Sequence, residues 1–105
     1  NWFEIQTQGS DWLTKTGTYT AFAGDKIFAN TTSGAFTITL PASPTIGDEI
    51  RFVDVANTFD TNNLTVGRNS EKIDGATADL TVATEGAAFA LVYSGSSFGW
   101  KLLEK

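Results

Sequence analysis

The chain reads as an all-β domain, and three observations predict it. Apolar and polar residues alternate with period two in one stretch after another, as they do on strands with one face in a core. Threonine occurs sixteen times and phenylalanine eight times, and both suit a pleated, half-buried surface. No stretch sustains the i, i+3, i+4, i+7 spacing of an amphipathic helix. Together these predict eight or nine strands, mainly antiparallel, packed as a β-sandwich or flattened barrel.

The strands are expected near 2–7, 18–23, 26–31, 35–40, 49–55, 63–67, 79–83, 87–94 and 98–103. In the first, Trp2 shares a polar face with Glu4 and Gln6. Trp12 follows in the Gly9-Ser10-Asp11 turn region. Gly24-Asp25 separates the next two strands, and Ser33-Gly34 predicts a hairpin between Asn30 and Ala35. Phe36, Ile38 and Leu40 alternate with Thr37 and Thr39. Both prolines lie in 41–48, which must bend, because proline cannot donate to a strand ladder.

Ile50 and Phe52 point one way in the 49–55 strand, and Val53 and Val55 the other. Ala87, Phe89, Leu91 and Tyr93 oppose Ala88, Ala90 and Val92 in the same manner. A strand apolar on both faces is central, or is covered by another chain. Asn63-Leu64-Thr65-Val66 is echoed by Asp79-Leu80-Thr81-Val82, too few copies for a solenoid and best read as two similar strands of one sheet. Finally, Phe98, Trp100 and Leu102 alternate with Gly99 and Lys101, placing Trp100 in the core.

Length and composition bound the function. A chain of 105 residues is one domain with one modest core. It has no methionine, even at position 1, so it reads as a trimmed product or a piece of something longer, while Lys101 to Lys105 reads as a C-terminus. No signal peptide opens it, and no apolar run is long enough to span a membrane as a helix. Cysteine and histidine are both absent. That removes disulfides, thiol nucleophiles, Cys/His zinc sites and any triad with an imidazole base. A net charge of −5 disfavours a phosphate backbone as partner.

Few residues invite chemistry. Phosphate-binding glycine loops are missing, so no nucleotide cofactor is expected. Most carboxylates sit beside glycine, asparagine or proline, in turns. Asp54 shares a face with Ile50 and Phe52, and is expected to fix the loop 56–62 by accepting backbone N–H bonds. Asp60, Asn62 and Glu71 fall at positions 1, 3 and 12 of a notional calcium loop, but Leu64 and Thr65 stand where a ligand and a glycine are required. No metal site and no catalytic residue is assigned, and the chain is read as a non-enzyme.

Several stretches carry a family resemblance. They are Tyr19-Thr20-Ala21 through Gly24-Asp25-Lys26-Ile27; Thr37-Ile38-Thr39-Leu40-Pro41-Ala42-Ser43-Pro44 with Gly47-Asp48; and Phe52-Val53-Asp54. Asn63-Leu64-Thr65-Val66, Lys72-Ile73-Asp74-Gly75, Asp79-Leu80-Thr81-Val82, and Leu91-Val92-Tyr93 with Gly95 and Gly99-Trp100 follow. The pattern resembles the C-terminal module of bacteriophage tail fibres and related virion appendages, over about residues 18 to 103. The resemblance implies a β-sandwich head, residues 18–105, on a homotrimeric extracellular fibre. It implies attachment to a bacterial surface polysaccharide or protein, and it carries no catalytic motif. Residues 1–17 lie outside the pattern, as an N-terminal strand or shaft-joining segment. Two other settings would suit such a domain: the non-catalytic cap of a polysaccharide depolymerase tailspike, or a carbohydrate-binding module of a secreted enzyme.

If strand faces are used up by core and subunit contacts, loops must read the ligand. Two loops are rich in sugar-bonding groups: 57–63, with Asp60 and Asn62, and 68–72, with Arg68, Asn69, Glu71 and Lys72. They flank one short strand and so lie at opposite ends. The 68–72 loop is the favoured one, because arginine can bond a sugar in bidentate fashion. Trp12 is a further candidate, as a stacking platform.

Overall fold

The computed structural model describes residues 12–103. The strand expected over 2–7, with Trp2, lies outside them. Nine strands occur among the described residues: β1 (Trp12–Lys15), β2 (Tyr19–Thr20), β3 (Lys26–Ala29), β4 (Phe36–Thr39), β5 (Glu49–Asp54), β6 (Leu64–Gly67), β7 (Leu80–Val82), β8 (Ala88–Tyr93) and β9 (Trp100–Leu102). They form two sheets, one ordered β1-β3-β5-β8-β9 and the other β2-β4-β6-β7. The architecture is the expected all-β, two-layer one.

The path of the chain is not the expected one. From β1 to β6 the chain crosses from one sheet to the other at every step. Each return therefore lays a strand beside its predecessor of two steps earlier, running the same way. β1 pairs with β3, β3 with β5, β2 with β4 and β4 with β6, all parallel. Only then does the chain turn back, and β7 pairs antiparallel with β6, β8 with β5, and β9 with β8. Four of seven pairs are thus parallel, so "mainly antiparallel" is corrected to mixed. Alternation reports which way side chains face, and is silent on the direction of the neighbouring strand.

The same winding corrects the hairpin at Ser33-Gly34. β3 and β4 lie in different sheets, so that turn is an arch between layers, and glycine serves either geometry. The echo over 64–66 and 80–82 is two adjacent strands of one sheet, as expected, with Thr65 opposite Thr81. Trp12 opens strand β1 instead of sitting in a turn. Phe98 falls outside β9 and is 62% exposed. The reason is Gly99, at φ +73, which breaks the alternation one residue before Trp100.

Side chains follow the register. Ile27, Ala29, Ile50, Phe52, Phe89, Leu91, Tyr93 and Trp100 from the first sheet meet Ile38, Leu40, Leu64 and Val66 from the second in one core. Phe52 and Phe89 face each other across β5 and β8 with rings 4.9 Å apart. β5 and β8 are interior strands of their sheet; one face of each enters the core, while Val53, Ala88 and Val92 lie on the outer face, where Ala88 is exposed. On the outside of the second sheet, Thr37, Thr65 and Thr81 form one row. Their β-branched side chains suit the pleat.

Candidate recognition surface

The winding gathers loops 21–25, 40–48, 68–79 and 94–99 at one end of the sandwich. Parallel strands in one sheet end together, and the paired registers of β2, β4 and β6 place their exits side by side. The loops 16–18, 30–35, 55–63 and 83–87 fall at the opposite end.

Two turns at the first end are built alike. In Phe22-Ala23-Gly24-Asp25, the amide of Phe22 donates to the Asp25 carboxylate (2.9 Å) and the amide of Asp25 donates to the Phe22 carbonyl (3.0 Å). In Thr45-Ile46-Gly47-Asp48, the amide of Thr45 donates to the Asp48 carboxylate and the amide of Asp48 to the Thr45 carbonyl, both at 2.9 Å. Each glycine has positive φ, +89 and +98, where a side chain would be strained. Each glycine amide also bonds the next strand, Gly24 to the Glu49 carbonyl and Gly47 to the Tyr93 carbonyl, both at 2.9 Å. Tyr19 adds its hydroxyl to Asp25 at 2.8 Å. Burial, then the bond to Asp25 and that carboxylate's charge, raises the Tyr19 pKa above its ordinary value.

These turns are hydrogen-bonded within themselves and to neighbouring strands, and they hold apolar side chains out. Phe22 is 69% exposed and Ile46 is 72% exposed. Phe98 belongs to a third such turn, closed by the Gly99 amide on the Gly95 carbonyl (2.8 Å) and the Ser94 hydroxyl on the Gly99 carbonyl (2.7 Å).

The 68–72 loop stands at this same end, and its polar groups are engaged within the chain. Arg68 Nη1 donates to the Glu71 carbonyl (2.8 Å), and Asn69 Nδ2 donates to the Leu40 carbonyl (2.9 Å). The Tyr93 hydroxyl donates to Glu71 Oε1 (2.7 Å), and Lys72 Nζ donates to the Ser97 carbonyl (3.2 Å). The Glu71 bond, followed by burial and the Glu71 charge, raises the Tyr93 pKa. The loop thereby ties together the ends of β4, β6 and β8.

The other sequence candidates lie elsewhere. Asp60 is exposed at the opposite end, so the notional calcium positions Asp60 and Glu71 are separated by the length of the sandwich. Asn62 Nδ2 is spent on the Thr31 carbonyl at 2.8 Å. Asp54 holds the loop beside them as expected: its carboxylate accepts the amides of Thr58 and Phe59 at 3.0 Å and of Gly86 at 2.9 Å. Burial pushes the Asp54 pKa up, but the backbone amides of Phe59, Gly86, Thr58 and Asn57 outweigh it and leave it below the ordinary value. Trp12 lies on the outer face of the first sheet, stacked on Phe28 at 4.6 Å.

The structure thus distributes the sequence candidates over three places. It adds Phe22, Ile46 and Phe98, which sequence reasoning did not single out. A signal for two of them existed: an apolar residue inside a Gly-Asp turn, a place that normally faces water. Among the described residues no three Asp or Glu side chains converge as a cation cage, and no helix is long and apolar enough to cross a membrane. Comparison with family models and with curated proteins finds no match.

Proposed function

We propose that the chain is a host-attachment module of a bacteriophage tail fibre, acting as a homotrimer and meeting the bacterial surface with its Phe22–Ile46–Phe98 end. The observation that carries the proposal is the presentation of three large apolar side chains by three separately hydrogen-bonded turns at one end. Exposed apolar groups on rigid supports cost little ordering entropy when a partner covers them. Covering each would contribute about 1–2 kcal/mol. The resemblance to tail-fibre modules supplies the biological setting.

The test is competition. The isolated chain should block adsorption of the parent phage to its host, and the variant carrying Phe22→Ser, Ile46→Ser and Phe98→Ser should not. Light scattering should give three times the chain mass. Blocking by the triple variant equal to that of the parent chain would end the assignment of this surface.

A second reading draws on the parallel winding. Among the described residues, β1 is the edge strand of the first sheet and β2 of the second, on the side where the winding begins. A further parallel coil could stack there, as it would if the domain capped a β-helical depolymerase. In that setting the domain is again non-catalytic, and the isolated chain should leave capsular polysaccharide at its original length.

A further inference from the structure

The three apolar turns form one ridge of uniform chemistry. Residues 21–25 lead into β3, residues 40–48 lead into β5, and residues 94–99 leave β8. These strands are neighbours in the order β3-β5-β8, about 4.8 Å from one to the next. Backbone bonds join the turns in the same order, the Gly24 amide to the Glu49 carbonyl and the Gly47 amide to the Tyr93 carbonyl. Ile46 lies against the third turn, where a Cβ on Gly95 would meet its Cδ1 at 3.7 Å. The three turns are thus set side by side along an edge roughly 10 Å long. Their exposed positions hold only phenylalanine, isoleucine, alanine, glycine, serine and threonine. The chain carries twelve acidic and seven basic residues, and none of them is exposed in these turns. Asp25 and Asp48, the two carboxylates present, are half-buried and accept amides of their own turns.

We infer that this ridge seats in the interfacial layer of a zwitterionic phospholipid bilayer, an inference that rests on reading this end as the contact surface and names what it contacts. Phe22, Ile46 and Phe98 enter the boundary between headgroups and acyl chains. Three features favour lipid over a folded protein. The first is shape. Apolar side chains standing singly on separate turns each need a matching pocket in a protein partner, whereas a fluid bilayer moulds itself around them. The second is charge. An ionised side chain is costly to take out of water, and the exposed positions of these turns have none to bury. The third is the backbone. A loop that enters an apolar layer must satisfy its polar groups internally. Here the amides of Phe22, Gly24, Asp25, Thr45, Gly47 and Asp48 all donate within the chain. Serine and threonine hydroxyls beside the apolar tips can bond headgroup oxygens. The net charge of −5 opposes an anionic surface, which leaves the zwitterionic one. Entry is shallow, as for other interfacial elements, and calls for no spanning segment.

The experiment floats the full chain with phosphatidylcholine vesicles on a density gradient, and repeats this with vesicles containing phosphatidylglycerol. The parent should float with phosphatidylcholine, added salt should not release it, and phosphatidylglycerol should not strengthen binding. Phe22→Ser, Ile46→Ser and Phe98→Ser should each weaken partition roughly tenfold. Val55→Ser, which changes a half-exposed valine at the opposite end, should leave partition unchanged. Phe98→Trp gauges depth: lipid brominated on its acyl chains should quench this variant more than the parent. That readout keeps the test decisive if a serine variant fails to fold. Absence of the parent from the floated fraction at millimolar lipid overturns the inference. So does flotation of the triple serine variant equal to that of the parent, or flotation confined to anionic vesicles. A fall in mass by light scattering with the triple variant also overturns it, since the ridge would then be a subunit contact. The attachment reading fails separately. If the triple variant no longer blocks phage adsorption while the parent ignores vesicles, the ridge meets a protein or polysaccharide and only the lipid inference falls. If the parent floats through its ridge but does not block adsorption, the lipid inference stands and the attachment reading falls.

Discussion

The two ends of the sandwich solve the problem of loop stability in opposite ways. At the 55–63 end, polar groups turn inward. Asp54 is 2% exposed and gathers three backbone amides; Thr31 is fully buried and shares a 2.7 Å hydrogen bond with Thr58; Phe59 is buried beneath the loop. At the other end the carboxylates of Asp25 and Asp48 clip short turns, and Phe22, Ile46 and Phe98 stand in solvent. One end plugs itself with Phe59, with Val55 half exposed beside it; the other buries Ala21, Leu40 and Ile73 but leaves Phe22, Ile46 and Phe98 outside the core. The difference teaches that one sandwich can close one end over an apolar plug and hold apolar side chains out on hydrogen-bonded turns at the other.

That contrast can be broken by substitution, beginning where the effect is largest. Phe59→Ala leaves a cavity under the closure and should cost about 3–5 kcal/mol, read by chemical denaturation. Asp54→Ala strands the amides of Thr58, Phe59 and Gly86 and should cost about 3 kcal/mol. Its pH dependence sharpens the point. The pKa of Asp54 is lower in the folded chain than in the unfolded one. Its contribution is therefore complete above the unfolded value and is lost as pH falls through the folded one. The stability gap between parent and Asp54→Asn should be full at neutral pH and shrink from about pH 4 downward. A gap independent of pH would mean that the carboxylate charge is not what organises this loop.

The free end should respond through backbone geometry more than through its side chains. A Cβ on Gly99 would clash with the Lys72 backbone carbonyl, with φ already at +73. Gly99→Ala should therefore cost more than about 2 kcal/mol, measured by thermal unfolding. Gly24 has the same sign of φ but open space around a Cβ, so Gly24→Ala should cost only about 1 kcal/mol. Smallest of all, Phe22→Ser and Ile46→Ser should each shift stability by less than about 0.5 kcal/mol. A large loss from either would place that side chain with the structural closure and erase the contrast between the ends.

Much of the strand content was legible in the residues, because period-two alternation is a local property. Phe36–Thr39, Leu64–Gly67 and Ala88–Tyr93 appear where the pattern puts them. Asp54 was legible too, since a carboxylate in phase with Ile50 and Phe52 must be bonded if it is buried. The gathering of the apolar turns at one end was not. Gly24-Asp25 and Gly47-Asp48 both read as turns, yet nothing local says that the two turns lie at one end or that Phe22 and Ile46 point outward from them. Arg68, Asn69, Glu71 and Lys72 look like free ligand-binding groups in the sequence. Asn69, Glu71 and Lys72 find their partners in Leu40, Tyr93 and Ser97, far away in the chain, and Arg68 finds its own in the Glu71 carbonyl within the loop.

What the sequence determined by itself is the set of strand faces: which residues enter a core, which meet water, and where proline and glycine interrupt. Those choices depend on solvation and on backbone sterics within a few residues. What only the tertiary structure decided is the partner of each strand and its direction. The alternation of Phe36 to Leu40 is equally satisfied by a hairpin with β3 or by crossing to another sheet. Packing of the two layers selects the crossing, because it buries Ile27 and Ile38 against a common core while β3 and β4 each gain a parallel neighbour. The row of Trp12, Lys26 and Arg51 across β1, β3 and β5 exists only through that choice. These residues are far apart in the chain, and only parallel registers bring indole, ammonium and guanidinium side by side.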